Sequence, residues 1–354
     1  MTLKYSTGTV ITEWTDGEKE CNKILENEET VEEFVDCLVS FCLNFGFDGY
    51  LLNIENPISA EKVSKLELFV ELLHSKLHAQ VPHAELIWYD SVTSKGSLKW
   101  QNELNDNNRT FFEKCDGIFL NYSWDEGNLS NSAVNAGARY LDVYVGVDVF
   151  GRNFYKGGGY NSHEAAELIR KHNLSMAIFA PSWVHQYLGG PHFLHLEYVF
   201  WHTMWPFLYI HIPQDLPFTT TFCQGYGKKR YENGRVTSCL PWYNLSKQQY
   251  QPNVPSCQNA DFVELIVNAR KKDGITEEIN KEAEKVLTVG CVQHCSEDAF
   301  TGGGCLLISY SCRIFKCSFK CNGELVVTLA IKPASEGGGD LNVLLNTENK
   351  DGVT

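Results

Sequence analysis

Short apolar segments alternate with longer segments of helical period between residue 8 and about residue 210. The short segments are rich in β-branched and aromatic residues and are bounded by turn residues, which is typical of strands. Six strands are predicted, at Thr9–Trp14, Gly49–Glu55, Glu85–Tyr89, Gly117–Tyr122, Asp142–Val147 and Ser175–Ala180. Each gap between them is long enough for a crossover helix. Alternating units of this kind predict an α/β fold with a parallel sheet and right-handed crossovers.

Helical period is clear in the first two long segments, where apolar residues recur at i, i+3, i+4 and i+7. One predicted apolar face is Val31, Phe34, Val35, Leu38, Val39 and Cys42, and the other is Val63, Leu66, Phe69, Leu72 and Leu73.

The number of units leaves two architectures open. A doubly wound sheet accepts six units, whereas a closed barrel needs eight. However, polar and aromatic residues stand at the carboxyl ends of nearly every strand, and a barrel collects its site from many strand ends. These residues are Trp14, Glu55, Tyr89 with Asp90, Tyr122 with Trp124, Asp148 and Trp183. No G-x-G-x-x-G motif follows any strand, so the sequence lacks a dinucleotide fingerprint.

The pattern changes beyond Pro217. Thr219–Phe222 is strand-like, residues 225–234 and 241–255 have the composition of loops, and the charged stretch Asp261–Val286 predicts a helix. After residue 302, apolar residues alternate at period two, as in the strands of a β-sandwich. The predicted strands there are Cys305–Tyr310, Arg313–Lys320, Glu324–Ile331 and Leu341–Leu345.

Composition and charge narrow the class of protein. The chain has 354 residues, of which 43% are hydrophobic and 21% are charged, so it should fold. With 30 basic and 44 acidic residues its net charge is −14, which argues against nucleic acid as a partner. Apolar stretches such as Met176–Pro181 are too short to cross a membrane. Thirteen cysteines without a secretory signal predict free thiols and a cytosolic protein.

The cysteines and histidines give no metal site that we would predict. Cys291 with Cys295, and Cys317 with Cys321, are spaced more widely than the usual pairs of structural zinc sites. For His192 and His195 we expect solvated or hydrogen-bonded histidines and not metal ligands. We therefore predict neither a metal nor a cofactor.

Asn53 and Glu55 are the most informative pair of residues. Side chains alternate along a strand, so both point to the same side of Gly49–Glu55. A polar amide and a carboxyl within an apolar run need partners or a function. As a structural pair, they would cap the strand end. As a functional pair among strand-end aromatics, they suit a carbohydrate, whose C–H faces stack on indole rings.

Two glycosidase schemes are compatible with these residues. Glycoside hydrolysis usually uses two carboxylates, which here would be Glu55 with Asp90 or Asp148. Alternatively, Asn53 stands where the second carboxylate would be, and the nucleophile is the substrate's own 2-acetamido group. Asn53 would then orient the acetamide, while Glu55 would protonate the leaving oxygen and deprotonate the incoming water.

The run Phe47–Asn56 resembles the signature of glycoside hydrolase family 85. Further blocks resemble the family in the same order, namely Ile11–Trp14, Trp88–Val92, Leu98–Gln101, Asn121–Trp124, Val143–Phe150, Phe179–Val184 and Pro217–Phe222. The likeness extends from about residue 7 into the C-terminal tail.

The resemblance implies an endo-β-N-acetylglucosaminidase that cuts between the two N-acetylglucosamines of the N-glycan core. Its implied substrates are high-mannose glycans, free oligosaccharides and misfolded glycoproteins. Glu55 matches the general acid/base, Asn53 the acetamide-orienting amide, and Tyr89 a tyrosine that supports oxazoline formation. Trp100 and Trp124 match aromatic contacts of the sugar cleft. Four further cleft candidates rest on strand-end position alone, where core packing is an equal alternative, namely Trp14, Asn121, Asp148 and Trp183.

Family catalytic domains are TIM (β/α)8 barrels, and the strand at Ile11–Trp14 resembles their third strand. We therefore expect a barrel without its first two strands at residues 1–215, a connecting region at 216–290, and part of a jelly-roll-like β-sandwich at 291–354. A barrel with unpaired edges suggests an alternative, a catalytically inactive form that only binds glycans or has a structural role.

Overall fold

The computed structural model describes residues 6–190, 193–208, 212–252, 271–272, 275–276, 292–308, 314–315, 317–321 and 323–333. These residues belong to two compact units. The first comprises described residues of Met1–Ile212, Tyr250–Gln293 and Leu307–Lys316, and the second those of Pro213–Gln249, His294–Leu306 and Cys317–Thr354.

A six-stranded parallel sheet organises the first unit. Its strands are β1 (Gly8–Glu13), β2 (Gly49–Glu55), β3 (Glu85–Tyr89), β4 (Gly117–Leu120), β5 (Val143–Asp148) and β6 (Ser175–Phe179). Each strand pairs with the next one in the sequence, in the order β1-β2-β3-β4-β5-β6. All six predicted strands are therefore confirmed. A doubly wound sheet contains a reversal of strand order, and the described sheet contains none.

In the part of the chain that the structure describes, six α-helices connect the strands of this sheet and two more follow its last strand. They are α1 (Trp14–Ile24), α2 (Glu28–Phe45), α3 (Val63–Gln80), α4 (Arg109–Lys114), α5 (Glu126–Ala136), α6 (Ser162–Lys171), α7 (Trp183–Leu188) and α8 (Phe193–Met204). Helix α2 begins at a capping box between Asn27 and Thr30 and ends at Gly46, whose φ of 68° only glycine adopts readily. Within the described residues no helix is long and apolar enough to span a membrane.

The two faces of the sheet differ in burial. On β2, Tyr50, Leu52 and Ile54 are buried in the main apolar core together with residues of α2 and α3. The alternate residues Leu51, Asn53 and Glu55 are only half-buried. The period-two pattern thus places the helices on one face and leaves the two polar residues on the more open face.

The second unit contains four short antiparallel strands among the described residues, three of which lie mainly in segments predicted to be loops. These strands are β7 (Gln224–Gly227), β8 (Arg230–Glu232), β9 (Arg235–Ser238) and β10 (Trp242–Gln248), with β7 paired to β10 and β8 to β9. Asn233 and Gly234, with φ of 51° and 73°, connect β8 to β9. Asn-Gly is a strong hairpin signal because both positions need positive φ. The predicted loops at 225–234 and 241–255 are wrong where these strands lie.

The strand predicted at Thr219–Phe222 is also wrong. No strand occupies these residues, and Phe222 has a φ of 58°. A bulky residue in the left-handed region cannot continue an extended strand. The backbone N–H of Phe222 donates instead to Thr220 Oγ1 at 3.0 Å.

Most of the predicted charged helix at Asp261–Val286 lies outside the described residues. The four that are described form two antiparallel strands, β11 (Lys271–Lys272) and β12 (Ile275–Thr276). The helix prediction is therefore wrong at these positions. Asp-Gly stands between the two strands in the sequence, a pair typical of tight hairpins.

The C-terminal prediction is confirmed only at one strand. The tail contains β13 (Val292–Cys295) and β14 (Cys305–Ile308), and the latter lies within the predicted Cys305–Tyr310. Described residues of the predicted strands Arg313–Lys320 and Glu324–Ile331 are not in strands, and Leu341–Leu345 lies outside the described residues. The β-sandwich and its boundaries stay predictions.

Candidate active site

The candidate site lies at the carboxyl ends of the parallel strands. Asn53 and Glu55 share the more open face of β2, and in the parallel register Glu55 is the partner of Glu13 on β1. The chain leaves β1 at Trp14 with a φ of 52°, and the Trp14 side chain is 61% exposed. A bulky residue in the left-handed region is uncommon and often marks a functional site.

The surroundings of Glu55 favour its protonated form. Burial raises the pKa of Glu55, and the Glu13 carboxylate raises this pKa further. The Trp100 indole N–H lowers it in part. The geometry of that contact falls short of a full hydrogen bond, and the buried Trp100 Nε1 has no hydrogen-bond partner among the described residues. A carboxyl group with a raised pKa can act as a proton donor near neutral pH.

Asn53 presents an unpaired acceptor on the same face. Its Oδ1 is buried and has no hydrogen-bond partner among the described residues. An unsatisfied buried polar group typically costs about 1–3 kcal/mol of folding free energy. Such atoms at a strand end therefore point to a ligand that completes the hydrogen bond.

Tyr89 is held by a relay of amide side chains. Its hydroxyl donates to Asn121 Oδ1 at 2.9 Å, and Asn121 Nδ2 donates to Asn102 Oδ1 at 2.7 Å. Burial raises the pKa of Tyr89, and the Glu55 carboxylate is among the charges that raise it further. Tyr89 therefore keeps its phenolic proton, and the hydrogen bond to Asn121 fixes the position of its ring.

Asp90 supports this relay from the core. The Asp90 carboxylate is 1% exposed and accepts hydrogen bonds from Asn102 N at 2.7 Å, Gln101 N at 3.0 Å and Asn108 Nδ2 at 3.0 Å. Burial raises the pKa of Asp90 to about 6, although these hydrogen bonds act in the opposite direction. The group holds the loop after β3 in place and is not free to attack a substrate.

Three other candidates from the sequence have structural partners. Trp124 is 4% exposed, and its N–H donates to Gly146 O at 2.8 Å, so it offers no free face to a sugar. Asp148 is 2% exposed and accepts a hydrogen bond from Arg152 Nε at 3.0 Å. Trp183 begins α7 and packs edge-on against Tyr160. We correct the interpretation of Trp124 to a core residue.

The structure brings together Glu55, Tyr89, Trp100 and Asn121 through the contacts described above, and Asn53 lies on the same face of β2 as Glu55. Three further residues belong to this group, but our site prediction omitted them, namely Glu13, Asn102 and Tyr122. Strand register with Glu55 could have suggested Glu13, because both end adjacent strands. Nothing in the sequence suggests Asn102, which reaches Asn121 through a loop turn with a φ of 60°.

A family model and several proteins match this chain. The model described as glycosyl hydrolase family 85 matches residues 5–230. Cytosolic endo-beta-N-acetylglucosaminidase of Danio rerio is 48% identical over 250 residues, which are 70% of this chain and 35% of that protein. The Homo sapiens protein of the same name is 44% identical, over 69% of this chain and 33% of that protein. The chain thus spans about a third of these relatives.

A plant relative and a solved structure extend the coverage. Cytosolic endo-beta-N-acetylglucosaminidase 2 of Arabidopsis thaliana is 35% identical over 96% of this chain and 49% of that protein. The glycoside hydrolase domain of Endo-D from Streptococcus pneumoniae has a TM-score of 0.57 and 19% identity, covering 84% of this chain and 48% of that chain. At this identity the likeness shows a shared fold alone.

The family match begins before β1 and extends beyond β6, so it includes every residue of the candidate site. The chain belongs to glycosyl hydrolase family 85.

Proposed function

We propose that this chain carries the catalytic site of a retaining endo-β-N-acetylglucosaminidase that cuts the GlcNAc-β1,4-GlcNAc core of N-glycans by substrate-assisted catalysis. The observation that carries the proposal is the unpartnered, buried Asn53 Oδ1 beside the raised-pKa carboxyl of Glu55. The names of the relatives support the activity and a cytosolic location. The proposed substrates are high-mannose glycoproteins and free oligosaccharides.

In the first step Asn53 Oδ1 accepts a hydrogen bond from the N–H of the substrate's 2-acetamido group. The acetamide is then oriented so that its carbonyl oxygen attacks the anomeric carbon. Glu55 donates its proton to the glycosidic oxygen as the C1–O bond breaks, and the leaving N-acetylglucosamine departs with a free hydroxyl. The sugar left behind carries an oxazolinium ring, and Glu55 is now ionised.

In the second step the Glu55 carboxylate takes a proton from water as the water oxygen attacks C1. The oxazoline C–O bond breaks and the acetamide is restored. Two inversions at C1 give net retention, so the product is released as the β-anomer. Glu55 ends protonated and ready for another cycle.

Tyr89, Trp100 and Trp14 serve binding and orientation in this scheme. Tyr89 keeps its proton and is positioned by Asn121, and to donate a hydrogen bond to the reacting acetamide it would turn its single O–H away from Asn121 Oδ1. Trp100 has a free indole N–H near Glu55. The exposed Trp14 ring offers an apolar face on which a sugar can stack.

The two-carboxylate alternative is less compatible with the geometry. Asp90 and Asp148 are both buried, and their oxygens are engaged by backbone N–H groups and by Asn108 or Arg152. Either carboxylate would have to break these bonds before it could attack C1 or activate a water. Asn53 is the group on the same face as Glu55.

The fold we propose for the catalytic region is an arc of a (β/α)8-type barrel. The uninterrupted strand order of β1 to β6 supports it, because barrel strands pair in sequence order. Its more open face, with Asn53 and Glu55, would correspond to the barrel interior. The jelly-roll-like sandwich at 291–354 remains our proposal for the tail.

A high-mannose glycopeptide tests the activity. We expect the chain to release the glycan and to leave a peptide that retains one N-acetylglucosamine, a mass that distinguishes this cut from removal of the whole glycan. Mass spectrometry of the peptide measures it. A folded chain that releases nothing, or that leaves a bare peptide, would contradict the proposal.

The charge of Glu13 should affect the pH dependence of kcat/KM. Its negative charge raises the pKa of Glu55, so Glu13→Gln should lower that pKa. A general acid must be protonated to act, and activity falls as pH rises through its pKa. The alkaline limb of kcat/KM should therefore move to lower pH in Glu13→Gln. The control Glu61→Gln removes an exposed carboxyl that is not among the groups shifting the pKa of Glu55, and it should leave the limb in place. An unmoved limb in Glu13→Gln would disprove the electrostatic coupling.

A further inference from the structure

A cluster of possible metal ligands lies at the amino ends of the strands. His74 and His78 are one turn apart on α3, and Asp116 immediately precedes β4. Glu55 lies at the opposite, carboxyl end of the sheet. The cluster is therefore separate from the candidate active site, and the glycosidase scheme does not use it.

Both imidazoles converge on one carboxylate. His74 Nε2 lies 3.2 Å from Asp116 Oδ1, and His78 Nε2 lies 3.1 Å from Oδ1 and 3.0 Å from Oδ2. The three ligand atoms lie within 4.8 Å of one another. The two rings are close, with centroids 4.3 Å apart.

We propose that His74, His78 and Asp116 form a binding site for a divalent transition-metal ion, zinc in particular. Imidazole nitrogen and carboxylate oxygen are common zinc ligands, and three protein ligands leave a fourth position for water. Ligand atoms about 2.1 Å from a tetrahedral zinc lie roughly 3.3 Å from one another. The observed N–O separations of 3.0–3.2 Å need only a small adjustment to match this.

The ligands are held in place and remain accessible. Asp116 Oδ2 accepts a hydrogen bond from Leu86 N at 2.7 Å, which fixes the carboxylate without occupying all its lone pairs. The side chains of His74 and His78 are 37% and 29% exposed, so an ion can enter from solvent. Each ring can bind a metal through Nε2 while Nδ1 carries the ring proton.

The surrounding charge favours a cation. Glu85, at the start of β3, interacts electrostatically with Asp116 and with Asp142, which lies just before β5. Arg139 offsets part of this charge through its contact with Asp142 at 2.7 Å. The two additional carboxylates therefore outnumber the neighbouring guanidinium.

Titration of the reduced full chain with Co²⁺ tests the proposal. Ten described cysteines are free thiols that can also take up metal, so the probe must report the ligand type. The wild-type chain should bind one equivalent of Co²⁺ that shows d–d absorption but no thiolate charge-transfer band. We expect His78→Gln to lose this equivalent. Loss of a residue that only supports a metal ligand typically lowers metal affinity by roughly 10- to 100-fold. Because His78 is itself a proposed ligand, its substitution should lower the affinity of the site by at least that factor.

His83→Gln is the matched control, because His83 Nε2 also faces a carboxylate, Asp48 Oδ1 at 3.0 Å, and within the described part of the chain no second histidine contacts that carboxylate. This variant should keep the equivalent. If His78→Gln does not fold, His74→Gln, at the more exposed ring, serves instead. The proposal is overturned if neither substitution removes an equivalent, or if the equivalent lost carries the thiolate band. None of these results depends on glycosidase activity.

Discussion

Glu55→Gln should abolish most hydrolysis of natural N-glycans. Glutamine keeps the size of the side chain and its place beside Trp100, but it cannot donate a proton to the leaving oxygen or take one from water. Positioned acid–base groups typically contribute about 10²- to 10⁴-fold to a rate, and we expect a loss of kcat in that range. Initial rates on a high-mannose glycopeptide measure it.

A substrate with a different leaving group tests the role of Glu55 as an acid more specifically. A phenolic leaving group departs without protonation, so with such a substrate the loss in the first step should be smaller. The exposed Glu61→Gln should retain activity and serves as the control for a general effect of lost charge. Wild-type rates in Glu55→Gln, or an equal loss for both leaving groups, would remove Glu55 from its role as acid.

Asn53→Ala should be impaired only where an oxazoline must be formed. The substitution deletes the buried Oδ1 that we assign to the acetamide N–H, so the acetamide loses its orientation. Loss of one preorganised hydrogen-bond partner in an active site typically costs about 10²- to 10³-fold in kcat. We expect a loss of that order on natural glycans, measured as initial rates.

A preformed sugar oxazoline separates this role from a structural one. The oxazoline bypasses the first step, so Asn53→Ala should hydrolyse it at close to the wild-type rate. Glu55→Gln should remain slow, because attack by water still needs a base. If Asn53→Ala is equally slow on both substrates, Asn53 supports the fold of the site and not the formation of the intermediate.

Local periodicity was sufficient to place the proposed catalytic pair, Asn53 and Glu55, on one face of a strand. The alternation in Gly49–Glu55 places Asn53 and Glu55 on one face and Leu52 and Ile54 on the other, and the structure has the strand at those bounds. Repeated βα units predicted six parallel strands, but they left open whether the strand order was that of a doubly wound sheet or that of a barrel. Because such patterns involve residues close in sequence, they need no knowledge of the tertiary structure.

Contacts between distant segments were not predictable in the same way. Trp100 and Trp124 both come after strands in the sequence, and both were predicted to contact the sugar. However, Trp124 is held in the core by a hydrogen bond to Gly146 on a neighbouring strand. The relay from Tyr89 through Asn121 to Asn102 likewise joins two loops. Asp116 meets His74 and His78 across about 40 residues of sequence, so no short motif signals that cluster.

The weakest predictions fell in the second unit. Asn233-Gly234 is a hairpin signal, but the segment that contains it was predicted to be a loop. In the structure these two residues form the turn between the paired strands β8 and β9. The apolar alternation in Glu324–Ile331 predicted a strand, but these residues are not in a strand and pair with no other strand of the described residues. A strand needs a partner for its backbone, and alternation alone does not supply one.

The anomeric configuration of the freshly released glycan tests the account most directly. Substrate-assisted catalysis by Asn53 and Glu55 predicts that proton NMR, recorded before mutarotation, detects the new reducing end as the β-anomer. Direct attack of water on C1, activated by a second carboxylate such as Asp90 or Asp148, would give the α-anomer first. That result would contradict the proposed mechanism.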